Sequence, residues 1–213
     1  MVESKKKDTT EHAANVKTKK ISAECYLFKL LAPSVRQHAP VVLNSVPQTW
    51  LPPALGSLKI NTDATWNSES LCCGLAALLR DSLGTFLNGV VSVGKATSAE
   101  AAEAQAVLLG LNLAKTESIL SFSLEADCLP LISALKSSLG SVSWSTLSWF
   151  QQIKSLADSF SSVNWSWISR EANVAADVAA HLAPRLEPVL DWFLNPPPSL
   201  HHVLQSDAVA APP

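Results

Sequence analysis

The chain has 213 residues, of which 47% are hydrophobic and only 16% are charged, well below the roughly 25% of typical soluble domains. This composition excludes a disordered chain over most of the length, and the length predicts one domain with flanking segments. No stretch reaches the roughly 18 apolar residues that a membrane helix needs, and the lysine-rich start lacks the apolar core of a secretory signal. The sequence therefore predicts an intracellular protein with no membrane segment.

The charges are distributed unevenly along the chain. Residues 1–40 carry eight Lys/Arg and four Asp/Glu, whereas residues 56–183 carry seven Lys/Arg and eleven Asp/Glu. An acidic body argues against broad electrostatic capture of nucleic acid, which relies on a basic face. The lysine clusters at 5–7 and 17–20 are spaced as in a bipartite nuclear import signal, which favours the nucleus over the cytoplasm, but a solvated tail explains the same runs.

The composition divides the chain into three segments. Residues 1–55 are expected to form a disordered or extended basic leader, residues 56–184 the folded domain, and residues 185–213 a proline-rich, largely irregular tail. The four cysteines have no C-x-x-C spacing. They predict reduced, packed thiols, with neither a zinc site nor a disulfide framework.

Within the central segment, hydrophobic periodicity predicts alternating strands and helices. A strand is expected at 58–63 and a hairpin at 72–80 and 85–93. A helix follows over 97–114, where Thr97 and Glu100 are spaced as a capping box. The remaining elements are a strand at 120–126, helices at 129–136 and 144–160, a strand at 163–168 and a helix at 174–183. The order β-β-β-α-β-α-α-β-α predicts an α/β domain with a mixed sheet flanked by helices.

Four acidic residues interrupt patterns that are otherwise apolar or neutral: Asp63 ends the first strand, Glu103 and Asp177 lie on the apolar stripes of helices, and Asp127 follows the fourth strand. Each has a simple structural explanation. Asp63 suits a turn, Glu103 suits the first turn of a helix, Asp127 suits an N-cap, and Asp177 suits an i+4 pair with His181.

The four acids lie on elements whose order can bring them together at one end of the sheet. Converging carboxylates resist ionisation unless cations neutralise them, and oxygen ligands without His or Cys suit Mg²⁺ or Mn²⁺. Two such ions about 4 Å apart would clamp the attacking and leaving oxygens of a phosphodiester. The pattern therefore predicts a nuclease that uses two divalent ions.

Five motifs between about residues 56 and 184 resemble the type 1 ribonuclease H domain, and more narrowly its plant, retroelement-derived version. They are Leu58-Lys-Ile-Asn-Thr-Asp63, the turn Arg80-Asp-x-x-Gly84, the helix Ala102-Glu-Ala-x-Ala-x-x-x-Gly-Leu111, the strand end Glu125-Ala-Asp127-Cys, and Trp167-Ile-Ser-Arg-Glu-Ala-Asn173-x-x-Ala-Asp177. The resemblance implies a ribonuclease H-like fold with a five-stranded mixed sheet flanked by helices.

The resemblance also implies a role for each acid. Asp63 would bridge two Mg²⁺ or Mn²⁺ ions, and Glu103 would hold one ion and help to place the nucleophilic water. Asp127 and Asp177 match the third and fourth acids of the family site. Glu100 competes with Glu103 for the helix position, but its capping role makes it the poorer choice. The implied activity is endonucleolytic cleavage of the RNA strand of an RNA·DNA hybrid, by a chain that we expect to be a monomer.

The loop before the last helix departs from the family pattern. Many type 1 enzymes carry a histidine there, whereas this chain has Ser169-Arg-Glu-Ala-Asn173 and no histidine between that segment and His181. We expect slower turnover but not loss of activity, because the metals carry the chemistry. The alternative is a catalytically weak or inactive retroelement remnant that binds nucleic acid or protein. Four intact acids favour catalysis, since drift without selection would damage at least one of them.

Overall fold

A computed structural model describes residues 49–137, 140–185 and 190–209, so most of the predicted leader, including both lysine clusters, lies outside the described residues. The strands are β1 (Lys59–Trp66), β2 (Cys72–Arg80), β3 (Phe86–Lys95), β4 (Ser121–Ala126), β5 (Ser162–Trp167) and β6 (Leu190–Asp191). The helices are α1 (Ala99–Thr116), α2 (Leu129–Lys136), α3 (Leu147–Ala157), α4 (Val174–Leu182) and α5 (Pro198–Val209). None of these helices combines the length and hydrophobicity needed to cross a bilayer.

The strands form one mixed sheet in the order β5-β4-β1-β2-β3-β6. β1 pairs antiparallel with β2 and parallel with β4, and β4 pairs parallel with β5. The predicted five-stranded mixed sheet flanked by helices is therefore confirmed, and the two-residue β6 extends it beyond β3. β1 lies inside the sheet, between β2 and β4, which run in opposite directions. A neighbouring strand therefore flanks β1 on each side.

The β2–β3 hairpin closes through a turn in which Asp81 organises the backbone. Its side-chain oxygen accepts hydrogen bonds from the N–H groups of Leu83 and Thr85, as expected for an Asp at a turn. Gly84 has φ +77°, in the left-handed region that glycine adopts without steric cost. The predicted reversal between residues 80 and 84 is thus confirmed.

Helices cover both faces of the sheet. On one face, α1, α2 and α3 pack over a core that includes Ile60, Leu124 and Ile153. On the other face, α4 and α5 pack over a second core that includes Leu78 and Leu200. β2 is buried along its whole length, which explains why its sequence is a nearly continuous apolar run without alternation.

The start of α1 differs by one residue from the predicted capping box. The N-cap is Ser98, whose hydroxyl accepts a hydrogen bond from the Ala101 N–H. Thr97 lies outside the helix, and Glu100 occupies its first turn. Ser and Thr are both good N-caps, so the sequence pattern alone did not distinguish the two neighbouring positions.

The described part of the tail is not irregular. Residues 190–209 contribute β6 and α5, and Trp192, Leu200 and Leu204 are buried in the second core. Arg80 and Asp207 join this helix to β2 through an ion pair of 2.6 Å. The apolar pair at i and i+4 in α5 is too short a pattern to predict a helix without knowledge of the groove that receives it.

The cysteines follow the sequence expectation only in part. Cys73 and Cys128 are free, whereas Cys72 is disulfide-bonded. The expectation of reduced thiols therefore holds for Cys73 and Cys128 but not for Cys72.

Candidate metal centre

Three of the four predicted site residues come together around Asp63, inside β1. Asp63, Glu103 and Asp127 each offer a carboxylate oxygen, and these oxygens all lie within 4.8 Å of one another. Asp63 lies within β1 opposite Ala76 of β2, Glu103 lies in the second turn of α1, and Asp127 directly follows β4. Three separate elements thus deliver one acidic cluster.

Two oxygens of this cluster lack partners. Among the described residues, Asp63 Oδ2 and Glu103 Oε2 are buried and make no hydrogen bond. A buried polar atom without a partner costs about 1–3 kcal/mol, so each such atom calls for a physical explanation, such as an ion that binds there. An all-oxygen donor set with unsatisfied carboxylates suits a hard divalent cation such as Mg²⁺ or Mn²⁺. The residues present therefore fit a metal ion.

The electrostatics of the cluster resist full ionisation. Burial raises the pKa of Asp63 well above its usual range, and the negative charges of Asp127 and Asp177 raise it further. The pKa of Glu103 is raised in the same way, first by burial and then by Asp63 and Asp127. Burial also raises the pKa of Asp127. Without a cation, these carboxyl groups retain protons at pH values where isolated acids are ionised.

Asp177 lies beside the three-acid cluster but is not one of its members. Its Oδ1 is 3.6 Å from Arg170 Nη2 and 3.6 Å from His181 Nδ1. Arg170 Nε also lies 3.9 Å from Asp127 Oδ2, so this guanidinium connects the two acids. The Arg170 side chain is 60% exposed, and ion pairs of that kind contribute little to stability.

The structure rules out two of the simple explanations for the acids. Asp63 does not form a turn, because β1 continues to Trp66. Asp127 is not an N-cap, because Cys128 holds that position before α2. The i+4 contact of Asp177 with His181 is present. Glu100, the competitor of Glu103, is not part of the three-acid cluster.

Sequence reasoning missed the buried polar residues next to the site. Asn61 and Asn173 are almost fully buried, as is Glu125; all three lie in the quoted motifs, but none was given a role at the site. Their spacing could have identified two of them. Asn61 precedes Asp63 by two residues and Glu125 precedes Asp127 by two residues, and residues two apart in an extended chain point to the same side.

Comparison with known proteins identifies the family. Residues 61–183, more than half of the chain, match the model of the reverse transcriptase-like family. No curated protein matches the sequence significantly.

Three similar solved structures are ribonuclease H proteins. RNase H1 from Halobacterium salinarum is 15% identical with a TM-score of 0.55, covering 60% of this chain and 97% of that one. The N-terminal RNase H domain of a Mycobacterium tuberculosis protein is 20% identical with a TM-score of 0.53, covering 61% and 95%. LC11-RNase H1, isolated from compost and solved in complex with an RNA/DNA hybrid, is 19% identical with a TM-score of 0.54, covering 61% and 97%.

At these identities the likeness to solved structures concerns the fold, while the family follows from the sequence match. The two agree with each other and with the motifs around Asp63, Glu103 and Asp127. The chain belongs to the reverse transcriptase-like family and has the fold of a type 1 ribonuclease H domain.

Proposed function

We propose that the protein is a metal-dependent endoribonuclease that cleaves the RNA strand of RNA·DNA hybrids. The observation that carries this proposal is the convergence of Asp63, Glu103 and Asp127 with two buried oxygens that lack partners. The family match and the ribonuclease H neighbours, one of them solved with a hybrid, support the substrate class. Preference for the hybrid would come from 2′-hydroxyl contacts to one strand and backbone contacts to the deoxy strand.

The proposal assigns the four acids to two Mg²⁺ or Mn²⁺ ions. Asp63, Glu103 and Asp127 would hold one ion, and Asp63 together with Asp177 would hold the other. When bound, such ions polarise the scissile phosphodiester and activate water for attack. The chain itself supplies the negative charge that recruits the ions, and the rigid β1 strand holds Asp63 where the other carboxylates reach it.

The direct test is cleavage of a labelled RNA·DNA hybrid by the purified full chain in Mg²⁺ or Mn²⁺. Hybrid should be cut in the RNA strand, while single-stranded RNA, duplex RNA and duplex DNA should be cut far more slowly. Asp63→Asn should reduce the rate by more than about 100-fold, because loss of even an outer-shell partner at a metal site costs about 10–100-fold. Asp158→Asn, an exposed acid at the end of α3, is the matched control and should retain full activity.

Arg170 supports a second candidate, the catalytically weak or inactive binding module. Its guanidinium contacts Asp127 and Asp177, so a cation from the protein already occupies part of the acidic region. In that case the chain would bind the hybrid without cutting it. If the chain binds the hybrid but does not cleave it at micromolar enzyme and millimolar Mn²⁺, the binding module is favoured over the nuclease.

The remaining expectations concern assembly and location. We infer a monomer, which light scattering on the eluted full chain would check directly. Nuclear location rests on the two lysine clusters at 5–7 and 17–20. A fluorescent fusion that stays equally nuclear after both clusters are replaced by alanine would contradict that inference.

A further inference from the structure

The segments that lead to Asp63 and Asp127 separate at a buried polar contact. Parallel pairing of β1 with β4 ends at Asn61 and Glu125; Asp63 follows two residues later within β1, and Asp127 follows two residues later, directly after β4. Asn61 Nδ2 donates a 3.0 Å hydrogen bond to Glu125 Oε2. This contact therefore sets the separation of the two strands at the point from which they extend toward the acidic cluster.

The helix that carries Asp177 is attached to the same asparagine. Asn61 Nδ2 lies 3.4 Å from Asn173 Oδ1, and Asn173 Nδ2 donates to the Thr62 carbonyl at 2.9 Å. Asn173 lies one helical turn before Asp177, and the Asp177 N–H donates to its carbonyl. Residues four apart share one side of a helix. The elements bearing three of the four acids are thus joined at Asn61.

The orientation of the Asn61 amide is determined by its partners. Its Oδ1 accepts hydrogen bonds from Trp50 Nε1 at 2.9 Å and from Arg80 Nη2 at 2.8 Å. Indole and guanidinium groups only donate, whereas the Glu125 carboxylate, paired with Lys59, accepts. If the amide were flipped, its Nδ2 would face the donors of Trp50 and Arg80, and its Oδ1 would face the acceptor oxygen of Glu125. With 0% of its surface exposed, Asn61 is out of reach of the bulk solvent that could compensate for such a mismatch.

The charge of Glu125 is balanced, unlike the charges of the acidic cluster. Its Oε1 lies 2.7 Å from Lys59 Nζ, while Asp63 and Glu103 each keep an unpartnered oxygen. Arg80 is likewise balanced by Asp207 and stacks 3.5 Å over the Trp50 ring. The charged groups around Asn61 are therefore ion-paired, as expected for a supporting layer and not for a ligand set, although Arg80 Nε is itself buried without a hydrogen-bond partner.

We propose that Asn61 is a positioning residue that holds Asp63, Asp127 and Asp177 in the geometry needed to bind divalent ions. This inference rests on the proposed function only in taking those acids as the metal site. Asn61 acts through the placement of β1, β4 and α4, and does not itself contact the ion. Loss of its contacts should weaken metal binding by about tenfold, at the lower end of outer-shell effects.

The test is Mn²⁺ binding by the full chain, followed through the electron paramagnetic resonance signal of free Mn²⁺. Asn61→Ala should raise the dissociation constant about tenfold. Asn88→Ala is the matched control, because Asn88 is equally buried, bonds to Glu117 and lies on β3 away from the acids. It should lower the melting temperature to a similar degree while leaving Mn²⁺ affinity unchanged.

A second pair of variants separates positioning from general destabilisation. Asn61→Asp keeps the oxygen that accepts from Trp50 and Arg80, but it replaces the amide donor to Glu125 with a second carboxylate oxygen. The two carboxylates repel each other, so Mn²⁺ affinity should fall. Combining it with Glu125→Gln restores a donor and an acceptor across the same contact, and should recover most of the affinity. This pair also covers the case in which Asn61→Ala fails to fold.

The outcomes distinguish this proposal from the proposed function. Equal Mn²⁺ affinity in Asn61→Ala, Asn88→Ala and the wild type would overturn the positioning role and leave the nuclease proposal standing. Mn²⁺ binding that depends on Asn61 but is accompanied by no hybrid cleavage would support the positioning role and contradict the nuclease. Absence of Mn²⁺ binding by the wild-type chain would overturn both.

Discussion

Asp63 on β1 and Glu103 on α1 bring carboxylate oxygens within 4.8 Å of each other, and each retains a buried oxygen that makes no hydrogen bond within the described ranges. Two like charges in a buried site destabilise the fold unless a cation or a proton compensates them. The metal-free protein should therefore be less stable than its packing alone would allow.

Replacing Asp63 tests this directly. In EDTA at neutral pH, Asp63→Asn should raise the free energy of unfolding by about 1–3 kcal/mol, the usual cost of a buried unsatisfied polar group, because an amide can donate to Glu103 instead of repelling it. In millimolar Mg²⁺ the order should reverse, since only the wild type gains stability from binding. Urea denaturation under both conditions measures the two differences. A variant less stable than the wild type in EDTA would contradict the proposed repulsion.

The same carboxyl groups predict how stability changes with pH. The folded-state pKa values of Asp63 and Glu103 are raised, chiefly by burial, so the folded chain binds protons more tightly than the unfolded chain. Their favourable contribution is complete below the unfolded values of about 4 and is lost as pH rises through the folded values. Relative to Asp63→Asn, the metal-free wild type should become progressively less stable from about pH 4 upward. Denaturation curves at several pH values in EDTA would show a constant difference if the prediction is wrong.

Arg170 should compete with metal ions for the acids it contacts. Burial raises the pKa values of Asp63, Glu103 and Asp127, and the positive charge of Arg170 partly offsets that rise. Removing Arg170 therefore takes away a cation that competes with the metal. Arg170→Gln should bind Mn²⁺ severalfold more tightly, since an exposed pair is worth up to about 1 kcal/mol. Arg170→Lys keeps the charge and serves as the control. Weaker Mn²⁺ binding by Arg170→Gln in calorimetry would show that Arg170 assists the site.

Gly110 allows α1 to approach β1 closely. A Cβ added there would lie 2.8 Å from Thr62 Cγ2 and 3.2 Å from Ile60 Cγ2. Gly110→Ala should therefore destabilise the protein by about 1–3 kcal/mol through overpacking, although alanine in a helix is normally favoured over glycine by about 1 kcal/mol. Asn112→Ala, at an exposed position of the same helix, is the control and should be nearly neutral. Thermal denaturation would contradict the prediction if Gly110→Ala melted above the wild type.

The C-terminal helix should be part of the folding unit. Leu200 of α5 is 0% exposed and packs in the second core, so Leu200→Ala should lower the free energy of unfolding by about 2–5 kcal/mol. His202→Ala, on the exposed side of the same helix, should change it by less than about 0.5 kcal/mol. Equal effects of the two substitutions in urea denaturation would show that α5 does not stabilise the domain.

Local patterns predicted most of the fold because they report residue-by-residue burial. The apolar run of β2, the turn at Asp81 and Gly84, and the helix carrying Glu103 all follow from short-range chemistry. The boundaries were less accurate: β1 runs three residues past Asp63. In the sequence, an acid after an alternating run indicates that the strand ends there. A carboxylate inside a buried strand is unfavourable unless tertiary contacts compensate the cost of its burial.

The sequence by itself determined the order of strands and helices from β1 to α4, the resemblance to ribonuclease H and the identity of four unusual acids. Only the tertiary structure decided that three of them form one cluster, that Arg170 lies between Asp127 and Asp177, and that Asn61 joins the elements that deliver them. The reason is physical. Periodicity records which side of an element is buried, whereas contacts between residues distant in the chain depend on how strands diverge and helices dock.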